Sequence, residues 1–319
     1  MTKSRGSGFG VGGSARPLEP RHPEHRTPNT EPRLSTFSIV AIDLTTGEVG
    51  VAVASKFLAV GAVVPWARAG AGAVATQAWA NLSYGPDGLD LLARGFPAGD
   101  VVRTLTAPDE KREHRQVGVV DAAGRAAAWT GSECYAWAGH RHGSGYTCQG
   151  NILASAAVVA AMAEAFEQAP GLFPERLLAA LDAGRSAGGD RRGQQSAALY
   201  VAKEKGSYGG YLDRAIDLRV DDHPAPIGEL RKLLDLHRLY FGETVPGSLI
   251  RLSGSIVTEV QHMLGSAGLL AGAPSGVYDG ATRDAFRTFC SVENFEERWR
   301  EDDFVDREMV HFMRKRFGQ

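Results

Sequence analysis

Cysteine is scarce. Cys134, Cys148 and Cys290 are too few and too scattered over 319 residues for a disulfide framework, so a reducing, cytoplasmic setting is expected. No apolar run is long enough to span a bilayer, and the N-terminal segment lacks the basic, apolar, small-residue order of a secretory signal. Membrane association is therefore not expected. Neither sign of charge is in excess: 35 Lys and Arg against 37 Asp and Glu leave −2, which argues against the basic footprint of a nucleic-acid binder. The glycine-rich loop Gly188–Gly193 fits neither a phosphate-loop nor a dinucleotide pattern. His140 and His142 stand two apart in Gly139–Gly143, but no third ligand lies at diagnostic spacing, so a polar loop is expected there rather than a metal site.

The chain does have ample apolar material, 43% of its residues, at a length that suits one large domain or a medium domain plus a small one. Residues 1–35 contribute little of it. They hold Gly, Ser, Arg and His, with Pro17, Pro20, Pro23, Pro28 and Pro32 blocking regular structure, and read as a disordered extension. A propeptide whose removal exposes Thr36 is the alternative.

From Thr36 the pattern changes. Thr36–Asp43 and Glu48–Lys56 are rich in β-branched residues and flank the turn Leu44-Thr45-Thr46-Gly47, the signature of a hairpin with a short loop. If Asp43 faces Glu48, antiparallel counting sets Thr36 opposite Ser55 with Lys56 next along. A slip of one residue would face Thr36 to Lys56 instead. Either register puts a hydroxyl near a second hydroxyl and an ammonium, which is the geometry of a nucleophile beside a cation if Thr36 carries a free α-amino group.

Further along, Ala59–Ala69 reads as loop and Ala71–Gln77 as a strand of small residues. Two helices follow, marked by Leu89, Leu91 and Leu92 and by Val101, Val102 and Leu105. A second hairpin joins Arg115–Asp121 to Arg125–Thr130, and a Gly- and His-rich loop spans Gly139–Gly150. Helices marked by Val158, Met162 and Phe166 and by Leu177, Leu178 and Leu181 come next, then strands at Ser196–Ala202, Tyr208–Leu212 and Ala215–Val220. Hairpins and helix pairs alternate. That order predicts an α+β fold, a four-layer αββα sandwich of mainly antiparallel sheets, over residues 36–222. A linker helix is expected over 223–243, and a small all-α three-helix domain over 244–319.

The segment from Thr36 to about Tyr240 resembles the family known as domain of unknown function 1028, placed in the N-terminal-nucleophile (Ntn) hydrolase superfamily. The resemblance rests on Thr36-Phe37-Ser38-Ile39-Val40-Ala41, Val51–Phe57, Gly61–Ala67, Ala75-Thr76-Gln77, Ser83–Pro86, Cys148–Ala154, Gly188–Gly193 and Leu218–Pro224. It implies the same sandwich fold and amide or peptide hydrolysis by an N-terminal residue, without cofactor, but no particular substrate. In the family the Thr-Phe-Ser segment usually follows the initiator Met directly, whereas 35 residues precede Thr36 here. The stretch from about Val245 onward looks like a peptidoglycan-binding-like helical domain, through Gly268–Gly272, Tyr278-Asp279-Gly280-Ala281-Thr282 and Ala285–Phe289, with Cys290 where a Gln is usual.

An Ntn mechanism assigns Thr36 as nucleophile and its own α-amine, a group that ordinarily titrates at about pH 8, as general base. Lys56 would hold that amine down and favour the developing alkoxide, and Asp190 would orient it. Ser55, Gln77, Asn151 and Arg191 are the expected substrate contacts: Asn151 (or Asn81) for an oxyanion, Arg191 for a substrate carboxylate. From the residues alone Ser35 or Ser38 could claim the nucleophile's role equally, and Thr36 as an ordinary strand residue, Lys56 as a solvated strand end and Gly188–Gly193 as a charged surface loop are the plain alternatives. Cys148 reads as a buried structural thiol. The expected protein is a homo-oligomeric amidohydrolase of a small amide substrate. Its rivals are a catalytically silent binding or assembly protein of the same fold and a peptidoglycan-associated protein, with peptidoglycan or a protein partner engaged by the C-terminal domain.

Overall fold

The computed structural model describes residues 36–242, 244 and 246–318; the expected extension lies outside them. The chain opens with the hairpin β1 (Thr36–Asp43) and β2 (Glu48–Ser55). Its turn is set by Asp43, whose Oδ1 accepts from the N–H groups of Thr45 at 2.8 Å and Thr46 at 3.3 Å, and by Gly47, which supplies a φ of +73°. Asp43 pairs with Glu48 and Thr36 with Ser55, the unslipped register.

Two more strands, β3 (Pro65–Arg68) and β4 (Gly72–Ala78), precede helices α1 (Tyr84–Ala93) and α2 (Ala98–Thr106). Four strands follow: β5 (Arg115–Asp121), β6 (Ala126–Thr130), β7 (Gly139–Gly143) and β8 (Tyr146–Asn151). Then come α3 (Ala157–Gln168), α4 (Phe173–Ser186), β9 (Ser196–Ala202), β10 (Arg214–Val220) and α5 (Pro226–Phe241). The C-terminal region holds β11 (Leu249–Arg251), α6 (Ser255–Ser266), α7 (Gly280–Val292), β12 (Phe304–Asp306) and α8 (Arg307–Phe317). The whole is a mixed α/β fold with eight helices among the described residues and a largely helical C-terminal region.

All strand pairs are antiparallel. One sheet has six strands in the order β10-β9-β2-β1-β8-β7 and another has four in the order β3-β4-β5-β6. Period-two alternation decides what each face meets. Phe37, Ile39 and Ala41 of β1 share a core with Met162, Phe166, Leu177 and Leu181 of α3 and α4. Val40, between them, shares a different core with Val51 and Val53 and with Ala73, Ala75 and Val120 of the four-stranded sheet. The other face of that sheet, through Val74, Val117 and Val119, packs with Leu89, Leu92, Val101 and Leu105 of α1 and α2. Each fully buried side chain of this size stabilises by about 1.5–3 kcal/mol.

Several expectations need correction. Ala59–Ala69 is not all loop, since it contains β3, whose four residues are too few to show a period. Gly139–Gly150 contains β7 and most of β8. The first is an edge strand with His140, Arg141 and His142 exposed, and the second alternates Thr147, Gln149 and Asn151 with Tyr146 and Cys148, all buried. Polar residues on a buried face hide a strand from any hydrophobicity pattern. No strand forms at Tyr208–Leu212, because Gly209 and Gly210 take φ of +72° and +74°; β10 pairs directly with β9. The C-terminal module is not all-α: β11 pairs with β12. These strands have three residues each and lie more than fifty positions apart, so neither period nor proximity announces them.

Helix α5 serves two cores. Its Ile227, Leu230 and Leu234 belong with α4 and β9, while Leu239 and Tyr240 pack against the C-terminal core built on Val260, Leu264, Phe289 and Met309. Arg298, buried, ion-pairs with Asp306 and donates to the carbonyls of Arg238 and Leu239, tying the end of α5 to β12.

Candidate active site

The space between the two large sheets is apolar at one end and polar at the other. Thr36 and Ser38 are the inward residues of β1 at its first turn of alternation, and they continue the face of Val40. Beside them on the six-stranded sheet lie Ser55 of β2 and Thr147, Gln149 and Asn151 of β8; opposite, on the four-stranded sheet, lie Gln77 and Gln116. Every one of these side chains is buried.

They satisfy one another in a consistent donor–acceptor chain. Thr36 Oγ1 donates to Ser55 Oγ at 3.2 Å. Ser38 Oγ donates to Gln77 Oε1 at 2.6 Å and accepts from Gln149 Nε2 at 2.7 Å, and Gln149 Oε1 accepts from Thr147 Oγ1 at 3.0 Å. Gln77 Nε2 donates to Gln116 Oε1 at 2.8 Å and to the Thr36 carbonyl at 3.4 Å. Gln116 is the hub: its Oε1 also accepts from Asn151 Nδ2 at 3.1 Å, and its Nε2 donates to Gly150 O at 2.8 Å, Thr130 Oγ1 at 2.9 Å and Gly139 O at 3.2 Å. Thr130 Oγ1 in turn lies 2.9 Å from His140 Nδ1; partial desolvation of the ring, with His142 alongside, holds that imidazole below its usual range although the residue as a whole is exposed. Two non-glycine residues with left-handed backbone sit at this end, Ala78 (φ +67°) and Ile152 (φ +51°), immediately after Gln77 and Asn151. Such conformations cost about 1–3 kcal/mol each and cluster at functional sites.

Of the expected site residues, Thr36, Ser55, Gln77 and Asn151 meet in this network. Lys56, Asp190 and Arg191 border it with other partners. Asp190 forms a bridge with Leu153 beyond the end of β8, and its Oδ2 accepts the Lys56 N–H at 3.0 Å beyond the end of β2. The same carboxylate takes the Arg192 N–H at 2.9 Å and the Arg192 guanidinium at 3.1 Å. Asp190 therefore straps together the two strands that flank β1; an orienting bond from it to Thr36 is not among these contacts. The Lys56 ammonium is exposed, 3.4 Å from Gln194 O. Arg191 is exposed, its backbone N–H bonded to Ile152 O and its guanidinium to Ala136 O at 2.7 Å. Gln116, Gln149 and Thr130 were not anticipated; Ser38, an alternative nucleophile by sequence, is here bonded to Gln77 and Gln149. The available signal was polar residues two apart, Thr36-x-Ser38 and Thr147-x-Gln149-x-Asn151, inside strands.

Other candidates fall elsewhere. Asn81 donates to Asp109 and accepts from Ser83 at the edge of a cavity of about 830 Å³ lined also by Tyr84, Arg94, Lys111 and Arg115. Burial pushes the Cys148 thiol far above its ordinary range, within the core under α3. Among the described residues, no group of three or more His, Cys, Asp or Glu side chains could hold a metal ion. In the C-terminal module Cys290 is wholly buried, so the position where a Gln is usual serves packing here.

Comparison with known proteins fits this division. The model of a family of unknown function, DUF1028, matches residues 36–230, and a peptidoglycan-binding-domain model matches residues 240–313. The crystal structure of protein SPO2555 from Silicibacter pomeroyi, described under the same DUF1028 model, is 36% identical with a TM-score of 0.59, covering 64% of this chain and 89% of that one. No curated protein matches the chain.

Proposed function

Because this chain belongs to the DUF1028 family, we propose that its N-terminal body is a four-layer αββα sandwich of the Ntn-hydrolase type, acting on a small amide or peptide-like substrate through an acyl-enzyme. The shared cores described above support the layering. The observation that carries the chemical reading is the position of Thr36: first residue of a central strand, at the polar end of the inter-sheet space, its hydroxyl on Ser55 at 3.2 Å.

No described titratable side chain hydrogen-bonds the Thr36 hydroxyl, so the base in this reading is the α-amine released when the Ser35–Thr36 bond is cut. Thr36 Oγ1 attacks the substrate carbonyl carbon while its proton passes to that amine. Collapse of the tetrahedral adduct breaks the C–N bond, the ammonium returns the proton to the leaving amine, and water hydrolyses the resulting ester. Gln77 positions Thr36 through its carbonyl, and Asn151, its neighbour in register, is the candidate oxyanion donor. In the intact chain the Thr36 nitrogen is an amide, so release of residues 1–35 is the chemical precondition.

Intact mass of the protein from its host, followed by reaction with a β-lactone electrophile, tests this. The expected result is a chain beginning at Thr36 that gains one acyl group there, and a Thr36→Ala chain that gains none. A fully active protein still carrying residues 1–35 refutes it. The match over residues 240–313 favours a second role for the C-terminal region, retention on peptidoglycan; a pull-down of the full chain on purified peptidoglycan that leaves it in solution removes that role.

A further inference from the structure

Two cations stand on either side of Thr36 without a carboxylate. Strands β2 and β8 flank β1, and adjacent strands lie about 4.8 Å apart, so their ends at the level of Thr36 are about 10 Å from one another. Lys56 is the first residue beyond Ser55. Arg191 is held by its backbone to Ile152, the first residue beyond Asn151. Among the described residues neither forms an ion pair, although Arg192 beside them is paired with Asp190 and Arg115, below, with Asp109. Both side chains are exposed, and both backbones are fixed: Lys56 by the Asp190 carboxylate, Arg191 by Ile152. Exposed apolar side chains accompany them. Leu58 lies two residues beyond Lys56, and Tyr135, whose carbonyl accepts the Ile152 N–H, lies beside Arg191.

We propose that Lys56 and Arg191 form an anion clamp over Thr36, and that the substrate class is an N-acyl amino acid or short peptide with a free carboxylate and an apolar side chain. The inference rests on the reading of Thr36 as the reacting residue. It gives Lys56 a different part from tuning the α-amine: with Arg191, it faces the substrate. A guanidinium offers the planar fork suited to a carboxylate, and the ammonium adds a second positive charge. The Asp190 strap keeps the two at a fixed separation.

The test is calorimetric titration of the full chain with N-acetyl-L-phenylalanine and with N-acetyl-L-phenylalanine amide, which differ only in the carboxylate. The acid should bind about tenfold tighter or more, and the preference should shrink as salt is raised. Lys56→Met and Arg191→Gln, each checked for an unchanged melting temperature, should each remove most of it. Equal affinity for the two compounds, a preference intact in both variants, or no binding of either compound overturns the clamp. The Thr36→Ala full chain should retain the preference, because it reads charge rather than reaction. Failure of the β-lactone to label Thr36 thus strikes the nucleophile, and failure of the preference strikes the clamp.

Discussion

Gln116 is the side chain on which the buried polar end most depends, and replacing it by Leu tests the network with little change in volume. Its Oε1 accepts two side-chain amides, from Gln77 and Asn151, and its Nε2 reaches Gly150 O, Thr130 Oγ1 and Gly139 O. Some partners keep other bonds: Gln77 retains the Thr36 carbonyl and Thr130 retains His140. A buried group left without a partner costs about 1–3 kcal/mol, so two stranded groups and partial losses at the rest give about 3–5 kcal/mol for Gln116→Leu. At about 2 °C per kcal/mol for a body of this size, the melting temperature should fall by about 6–10 °C, read by calorimetry.

Gln116→Glu separates hydrogen bonding from packing. It would set a carboxylate against the carbonyls of Gly139 and Gly150, so burial and those oxygens should raise its folded pKa above its unfolded value. Below the unfolded pKa both states are protonated and ionisation adds no penalty; as pH rises the unfolded chain loses its proton first, and stability falls. Gln116→Glu should therefore be least stable, relative to the parent, near pH 8, whereas Gln116→Leu should show the same deficit at pH 5 and pH 8. A Gln116→Leu protein within 1 kcal/mol of the parent, an allowance close to one ordinary hydrogen bond, would refute the network as described.

Three further outcomes follow from particular contacts. Asp190→Ala leaves the Lys56 N–H and the Arg192 guanidinium without their carboxylate and should cost about 2–4 kcal/mol in a denaturant melt, with faster hydrogen exchange at Lys56. Burial alone would raise the Asp109 carboxyl, but bonds from Tyr84, Arg115 and the Lys111 N–H outweigh it and hold the group at about 2. Its depressed pKa contributes stability above about pH 4, of order 1–2 kcal/mol given its slight exposure, which is lost as pH falls through 2; the pH-dependent gap between parent and Asp109→Asn in chemical denaturation measures it. Gly118→Ala would bring a methyl to 2.3 Å from Gln149 Oε1, so Gln149 must leave Ser38, and a loss of about 1–3 kcal/mol is expected in the same assay.

How far the residues announced the molecule differs between its parts. The leading hairpin was legible to within one residue of register from its β-branched runs and the turn Leu44-Thr45-Thr46-Gly47; the Asp43 cap and the positive φ of Gly47 settle the pairing without the slip. The helix pairs were legible from their 3.6-residue period. Strands β7 and β8 were not, since one is an exposed edge and the other carries Thr, Gln and Asn on a buried face, where patterning assumes apolar residues. The same blind spot covered part of the candidate site. Thr36, Ser38, Ser55, Gln77 and Asn151 could be named one by one from the hairpin and the family resemblance, but Gln116 and Gln149 acquire meaning only when two sheets face each other. Lys56 shows the limit of register: counting residues placed it beside Thr36 correctly, yet the direction of its side chain depends on Gln194 and Asp190, more than 130 positions away.

The contrast between the two ends of the inter-sheet space bears on why the polar end exists. At the far end the same strands fill the gap with Val40, Val51, Val53, Ala73, Ala75 and Val120, and nothing in the backbone prevents that solution from continuing to Thr36. Instead β1, β2, β4, β5 and β8 each turn polar within two or three residues of the same edge. A network of neutral amides and hydroxyls gives at best a small net stabilisation over a well-packed apolar core, and it adds two strained residues, Ala78 and Ile152, at its border. What it does provide is a set of dipoles held in fixed directions around Thr36, with no charged side chain among them. That is a poor way to stabilise a sandwich and a suitable way to hold one hydroxyl in a reactive orientation, with the charged side chains Lys56, Asp190, Arg191 and Arg192 kept to its border. Replacing Ser38 and Gln149 together by apolar residues, Ser38→Ala with Gln149→Leu, strands Gln77 Oε1 and Thr147 Oγ1, so it should lower the melting temperature by several degrees at about 2 °C per kcal/mol, and it should also lower β-lactone labelling at Thr36 in the protein that remains folded. If labelling survives that replacement undiminished, the polar end has no part in positioning Thr36.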